Sequence, residues 1–117
     1  MPVLIVEDDV FTCDLLTRFL TRHGFEVECA TTLLEGMLRL AGNPCGVLLD
    51  LGLPDGNGLD LLKYVRDSRL GIPVAVVTGH AGFEMTDAAD MQPEAVFTKP
   101  VNIPELLTWV RRVCPCT

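Results

Sequence analysis

Glu7 and Asp8 close the apolar run 2–6, and Asp50 closes a second apolar run, 46–49. If both runs are neighbouring parallel strands, three carboxylates share one pocket at the rim of a sheet. Like charges held that close shift one another's pKa values or bind a cation. A crowded, oxygen-rich, anionic pocket suits a hard divalent ion such as Mg²⁺. Two further strand-like runs end in useful groups: 73–77 leads into Thr78, Gly79 and His80, and 94–98 leads into Lys99 and Pro100. A carboxylate is a competent nucleophile toward phosphorus. A divalent cation and an ammonium neutralise the equatorial oxygens of a phosphoryl group in transfer, and a hydroxyl donates to one of them. Each residue also has a plainer reading. Asp9 reads as the cap of the helix that follows, Thr78 alone reads as a turn residue, and Lys99 alone as a solvated loop lysine. The argument for chemistry is their joint arrival at corresponding strand ends.

The elements that must deliver these groups are legible as alternating strand-length apolar runs and helical periods, repeated five times. That pattern specifies an α/β domain with crossovers onto a parallel sheet. Strands are expected at 2–7, 25–29, 46–49, 73–77 and 94–98. Helices are expected at 9–23, 32–42, 58–68 and 103–114, with a short fourth helix within 81–93. The second strand alternates apolar and acidic residues, as an edge strand does, while the runs at 46–49 and 73–77 are apolar on both sides, as central strands are. The order 2-1-3-4-5 follows, that of a flavodoxin-like (βα)5 three-layer sandwich, whose ligands bind outside the strands' carboxyl ends. Gly24 and Gly42 end the first two helices. His23 and Arg22 suit the dipole at the end of the first. Thr32 with Glu35, and Asn102 with Glu105, have capping-box spacing. The buried stripes are expected to be Phe11, Leu15, Leu16, Phe19 and Leu20 in the first helix, and Leu34, Met37, Leu38 and Ala41 in the second. Leu61, Leu62 and Val65 serve the third, and Ile103, Leu106, Leu107, Val110 and Val113 the last. Trp109, at the margin of that last stripe, reads either as a boundary core residue or as a partner contact.

The totals exclude several classes. With 117 residues the chain is expected to be one domain, 1–117. Sixteen acidic against nine basic side chains leave a formal net charge of −7, which disfavours direct nucleic-acid binding or adhesion to anionic lipid. No apolar stretch reaches membrane-spanning length, and no secretory signal opens the sequence. Five scattered cysteines, an odd number, read as reduced thiols of a cytoplasmic protein and not as a disulfide framework. Cys114-Pro115-Cys116 reads as a frayed terminus, with a metal or redox pair as the alternative.

The motifs Val6-Glu7-Asp8-Asp9, Asp50-Leu51-Gly52-Leu53-Pro54-Asp55-Gly56-Asn57-Gly58, Val77-Thr78-Gly79-His80 and Thr98-Lys99-Pro100 resemble, in order and spacing, those of the response-regulator receiver domains of bacterial two-component signalling. The resemblance covers essentially the whole chain. It implies that Asp50 is the phosphoacceptor, and that Glu7, Asp8, Asp50 and the backbone carbonyl of Gly52 hold Mg²⁺, Glu7 through water. It also implies that Thr78 and Lys99 bind phosphoryl oxygens and that the Lys99-Pro100 peptide is cis. The implied donor is a phosphohistidine on a sensor histidine kinase or histidine phosphotransfer protein. Water then hydrolyses the acyl phosphate, so the chain catalyses only its own phosphorylation and dephosphorylation. Gly52 and His80 occupy positions that tune this lifetime in the family, and His80 is expected near the incoming water. The family's output face, formed by fourth helix, fifth strand and fifth helix, would meet an output domain or a second copy. One departure is plain. Val96 stands where the family's switch aromatic usually lies, and Phe97 follows it; one step along a strand reverses the face, so Phe97 is expected in the core.

Two other classes compete. A receiver-like interaction module would work without phosphorylation. A phosphohydrolase with an aspartyl nucleophile would need a second acid–base carboxylate and commonly a cap domain; the first strand has no D-x-D, and 117 residues leave no room for a cap. Flavin binding lacks a phosphate loop after the first strand.

Overall fold

Four consecutive apolar residues, Val3–Val6, form β1, which lies between the edge strand and the central strand of the sheet. In the computed structural model, which describes residues 1–79 and 93–114, the sheet is completed by β2 (Val27–Ala30), β3 (Gly46–Asp50), β4 (Val74–Thr78) and β5 (Ala95–Thr98). Its order is β2-β1-β3-β4-β5 and every ladder is parallel. Val3 stands opposite both Val27 and Gly46, Val47 opposite Val74, and Ala75 opposite Ala95. The expected order 2-1-3-4-5 is the one found. β1, β3 and β4 are buried along their whole length, and β2 lies at an edge.

Because successive side chains alternate across a strand, the sheet feeds two cores. Leu4, Val6, Val47, Leu49, Val74 and Val76 pack with α2 (Leu33–Arg39) and α3 (Leu59–Asp67). Val3, Ile5, Leu48, Ala75, Val77 and Phe97 pack with α1 (Val10–Arg22) and α4 (Ile103–Val113). Phe97 therefore enters the core as expected, while Val96 reaches the surface. Trp109 is a core residue, 2% exposed. The fourth helix expected within 81–93, and His80, lie outside the described residues, as does Cys116. Among the described residues, no helix is long and apolar enough to cross a membrane.

Local chemistry sets the helix ends. Asp9 accepts from the Phe11 amide, Thr32 from Glu35 and Asn102 from Glu105, each satisfying a donor that the first turn leaves open. Asn102→Ala is expected to cost about 1 kcal/mol, read as a lower urea midpoint; an unchanged midpoint would show that water replaces the cap at no cost. Gly24 leaves α1 at φ 90°, a backbone state open to glycine.

Three expectations need correction. In α1 the buried face is Cys13, Leu16 and Leu20, while Leu15 is exposed and Phe11 is 88% exposed. In α2 and the turn that follows it, Leu34, Leu38 and Ala41 are exposed, and Leu33, Gly36 and Leu40 are buried. The glycine is the cause: a Cβ on Gly36 would stand 3.0 Å from Val6 Cγ2 and 3.1 Å from Leu61 Cδ1, so α2 packs through a residue that hydropathy cannot score. Finally, the cysteines are not all reduced thiols. Cys13 is bonded to Cys29 and Cys45 to Cys114, with Cα atoms 6.4 and 5.2 Å apart. Pairs separated by 16 and 69 residues meet only because parallel crossovers stack the elements carrying them, which spacing alone cannot reveal.

After β3 the chain makes a two-residue antiparallel hairpin, Gly52–Leu53 with Gly56–Asn57. Asp55, at its turn, accepts the Leu33 and Leu34 amides at 2.6 and 3.0 Å. These two donors hold its carboxyl below the ordinary value and tie the hairpin to the amino end of α2. Gly58 then brings α3 against the end of β3, where a Cβ would lie 2.6 Å from the Asp50 carbonyl oxygen and 3.0 Å from Leu51 Cα. Backbone cannot yield as a side-chain tip does. Gly58→Ala is expected to destabilise by about 1–3 kcal/mol; a urea midpoint equal to that of the unmodified chain would contradict this packing.

Candidate functional site

The pleat decides which strand-end groups can meet. Leu48 and Ile5 face the α1/α4 side, so Asp50 and Glu7, each two residues further on, project to that same side. Both are buried, at 7% and 3% exposure, whereas Asp8, on the turn into α1, is exposed. Glu7, Asp8 and Asp50 each offer a carboxylate oxygen within 4.8 Å of the others. From the far edge of the sheet, Lys99 follows β5 and its Nζ lies 3.4 Å from Glu7 Oε1 and 3.4 Å from Asp50 Oδ2. The Gly52 amide donates to Asp50 Oδ1 at 3.3 Å.

Electrostatics follow from this crowding. Burial pushes Glu7 up to about 8, hydrogen bonding with Asp50 and its charge push the same way, and Lys99 only partly opposes them. Burial works to raise Asp50 as well, but the Glu7 carboxyl, the Gly52 amide and Lys99 together hold it below the ordinary aspartate value. For Lys99 burial favours the neutral form, and the charges of Asp50 and Glu7 outweigh it, raising the ammonium's pKa. The three groups are thus mutually coupled, with burial working against charge on Glu7 while Asp50 and Lys99 are each favoured in their charged forms. Glu7 Oε2 is buried without a hydrogen-bond partner among the described residues. An orphaned, oriented oxygen beside two other carboxylates is what a hard cation or its bound water would occupy.

Thr78 ends β4 fully buried, and since Asp50 is in register with Val77, it lies one residue beyond Asp50 on the neighbouring strand. Its carbonyl accepts the Lys99 amide at 2.8 Å, which fixes the start of the lysine's loop. The Lys99-Pro100 peptide is cis. So the structure brings Glu7, Asp8, Asp50, Lys99 and the Gly52 amide into one cluster, with Thr78 beside it through the backbone.

Sequence reasoning missed two features. One is the role of Asp55, although an aspartate before glycine in a turn is a visible signal. The other is a cavity of about 330 Å³ beside the acids, walled by Leu15 and Leu16 of α1, Leu48, Val77, Val101 and Ile103. Leu15, expected in the buried stripe, is exposed and lines this cavity.

A family model described as "Response regulator receiver domain" matches residues 3–111. The chain belongs to the response-regulator receiver domains. The transcriptional regulatory protein CusR of Escherichia coli K12 is 34% identical over 113 residues, covering 95% of this chain and 50% of CusR. The KDP operon transcriptional regulatory protein KdpE of the same strain is 37% identical over 113 residues, covering 93% and 49%. The receiver therefore spans about half the length of these curated relatives. Among solved structures, a response regulator receiver domain protein (CheY-like) from Methanospirillum hungatei JF-1 superposes with a TM-score of 0.86 at 33% identity, covering 95% of this chain and 90% of that one. The receiver domain is the signalling part of a two-component response regulator, and an acidic cluster at the strand ends accords with phosphoacceptor function.

Proposed function

We propose that this receiver, comprising residues 1–117 as one domain, accepts a phosphoryl group on Asp50 from a phosphohistidine of a sensor histidine kinase or histidine phosphotransfer protein, in the cytoplasm. The observation that carries the reading is the position of Lys99 Nζ, 3.4 Å from both Glu7 and Asp50, two of three carboxylates gathered from two strand ends. Asp50, kept ionised, supplies the attacking oxygen while the Gly52 amide orients its carboxylate. The P–N bond breaks as the O–P bond forms, and the electron pair leaves on the imidazole nitrogen. Lys99, held charged, faces the transferring oxygens, and the Thr78 hydroxyl donates to another. Glu7, Asp8, Asp50 and the Gly52 carbonyl are the residues that would hold Mg²⁺; bound there, the ion neutralises phosphoryl charge. Water later cleaves the acyl phosphate, and the domain turns over no external substrate.

The donor protein would approach over α1, where Val10, Phe11 and Leu15 are exposed beside the acidic cleft. A patch of large apolar side chains next to a reactive group is a contact surface in waiting. Output would pass to a partner or output domain through a face that includes β5 and α4, and a net charge of −7 disfavours direct DNA contact by this domain.

Incubation with a small phosphodonor tests this by intact mass. One phosphoryl increment, formed only with Mg²⁺ and removed by hydroxylamine, supports the proposal. No increment with any donor would instead favour a module that works unphosphorylated.

A further inference from the structure

Four of the five cysteines meet in two pairs, and one pair joins segments 69 residues apart. Cys45 immediately precedes β3, and Cys114 is the residue that ends α4. Both are buried, at 8% and 2% exposure, and their Cα separation of 5.2 Å lies within the range a disulfide spans without moving the backbone. Gly46 makes the approach possible. A Cβ there would meet Val113 Cγ2 at 3.0 Å, the Trp109 ring at 3.4 Å and Cys114 Sγ at 3.5 Å. The last turn of α4 thus rests directly on the first residue of β3, and the two sulfurs are neighbours whether or not they are joined. This contact sits at the amino end of β3, opposite the end that carries Asp50.

We propose that Cys45 and Cys114 are a thiol–disulfide modification site, a reversible latch that fixes the carboxyl end of α4 to the sheet. The oxidant is a small-molecule disulfide of the glutathione class. The Cys45 thiolate, the more exposed of the two, attacks one sulfur of that disulfide and expels the other half as a thiolate. Cys114, as thiolate, then attacks Cys45 Sγ and expels the second half. Two protein thiols become one disulfide, and the small disulfide leaves as two thiols carrying the two electrons and two protons. Because the bond closes a long loop, it restricts the unfolded chain strongly. Joined, the latch removes fraying at the end of α4; open, it leaves that end held by packing alone. The proposal does not depend on Asp50 being the phosphoacceptor.

The test uses the whole chain carrying Cys13→Ser, which removes the other pair. After treatment with oxidised glutathione, denaturation and alkylation, Cys45 and Cys114 are expected to be linked in the peptide map, and to be alkylated again after dithiothreitol. The melting temperature should rise by about 5 °C or more on oxidation, return with dithiothreitol, and not move in Cys45→Ser or Cys114→Ser. Stable glutathione adducts on either residue, alkylation of both after oxidation, or an equal thermal shift in the serine variants would each overturn the latch.

Discussion

Asp50→Asn will take up no phosphoryl group from any small donor, while folding to the same structure. The amide is close to the carboxylate in size, so the packing at the end of β3 is preserved. It lacks the anionic oxygen that attacks phosphorus, and it removes one of the three carboxylates gathered within 4.8 Å. The loss should therefore be complete in an intact-mass assay that detects the unmodified chain's adduct, with circular dichroism and urea midpoint showing a folded protein. Retention of a comparable adduct would mean that another side chain is the acceptor. The other carboxylates are poor substitutes: burial works against the charged form of Glu7, and Asp8 is solvent-exposed at the turn.

Lys99→Met will slow phosphorylation by about 100- to 1,000-fold, the scale found when one pre-placed charged or hydrogen-bonding group is taken from a transferring oxyanion. Methionine keeps most of the stem's volume, so the change isolates the ammonium. That ammonium touches both Glu7 and Asp50 and is one of the influences holding Asp50 ionised. Its removal weakens charge neutralisation at phosphorus and also lets the acids repel one another more strongly. Lys99→Arg should recover part of the rate, since charge returns but geometry does not. A rate within a factor of about three of the unmodified chain would mean that Lys99 serves only to offset the acids.

These expectations rest on positions that were readable before any coordinates. Sheet order came from one contrast, the alternating acids of Glu26 and Glu28 against the uninterrupted apolar runs of β3 and β4. Once that order stands, the carboxyl ends of β1, β3, β4 and β5 must be neighbours, and the cluster follows. Helix caps at Asp9, Thr32 and Asn102 were equally legible because they depend on residues three apart or fewer. What escaped depended on contacts that hydropathy does not encode. Gly36 rotated the buried face of α2 because absence of a side chain, and not presence of an apolar one, set the approach to Val6 and Leu61. Phe11 and Leu15 share the helical period of the core stripe yet are exposed, because periodicity alone cannot distinguish a core stripe from apolar residues lying beside it. The pairing of Cys45 with Cys114 needed the third dimension outright. The Val96 and Phe97 exchange was resolved in advance by strand alternation: Phe97 is inside and Val96 outside.

If Asp50 is phosphorylated as proposed, the route from the site to a partner would run through Thr78, Lys99 and α4. The Thr78 carbonyl holds the Lys99 amide at 2.8 Å, and Lys99 leads through Pro100 directly into the cap of α4 at Asn102. A phosphoryl group drawing on both side chains would pull on the start of that helix.

The most direct measurement is chemical mapping of the phosphoryl group on the unmodified chain. After incubation with a small phosphodonor and Mg²⁺, borohydride reduction converts an aspartyl phosphate to homoserine, and peptide mass spectrometry locates it. Conversion at position 50, and at no other residue, is the predicted result. Homoserine at Asp8, Asp9 or Asp55, or a phosphoryl group that survives reduction on another side chain, would contradict the account.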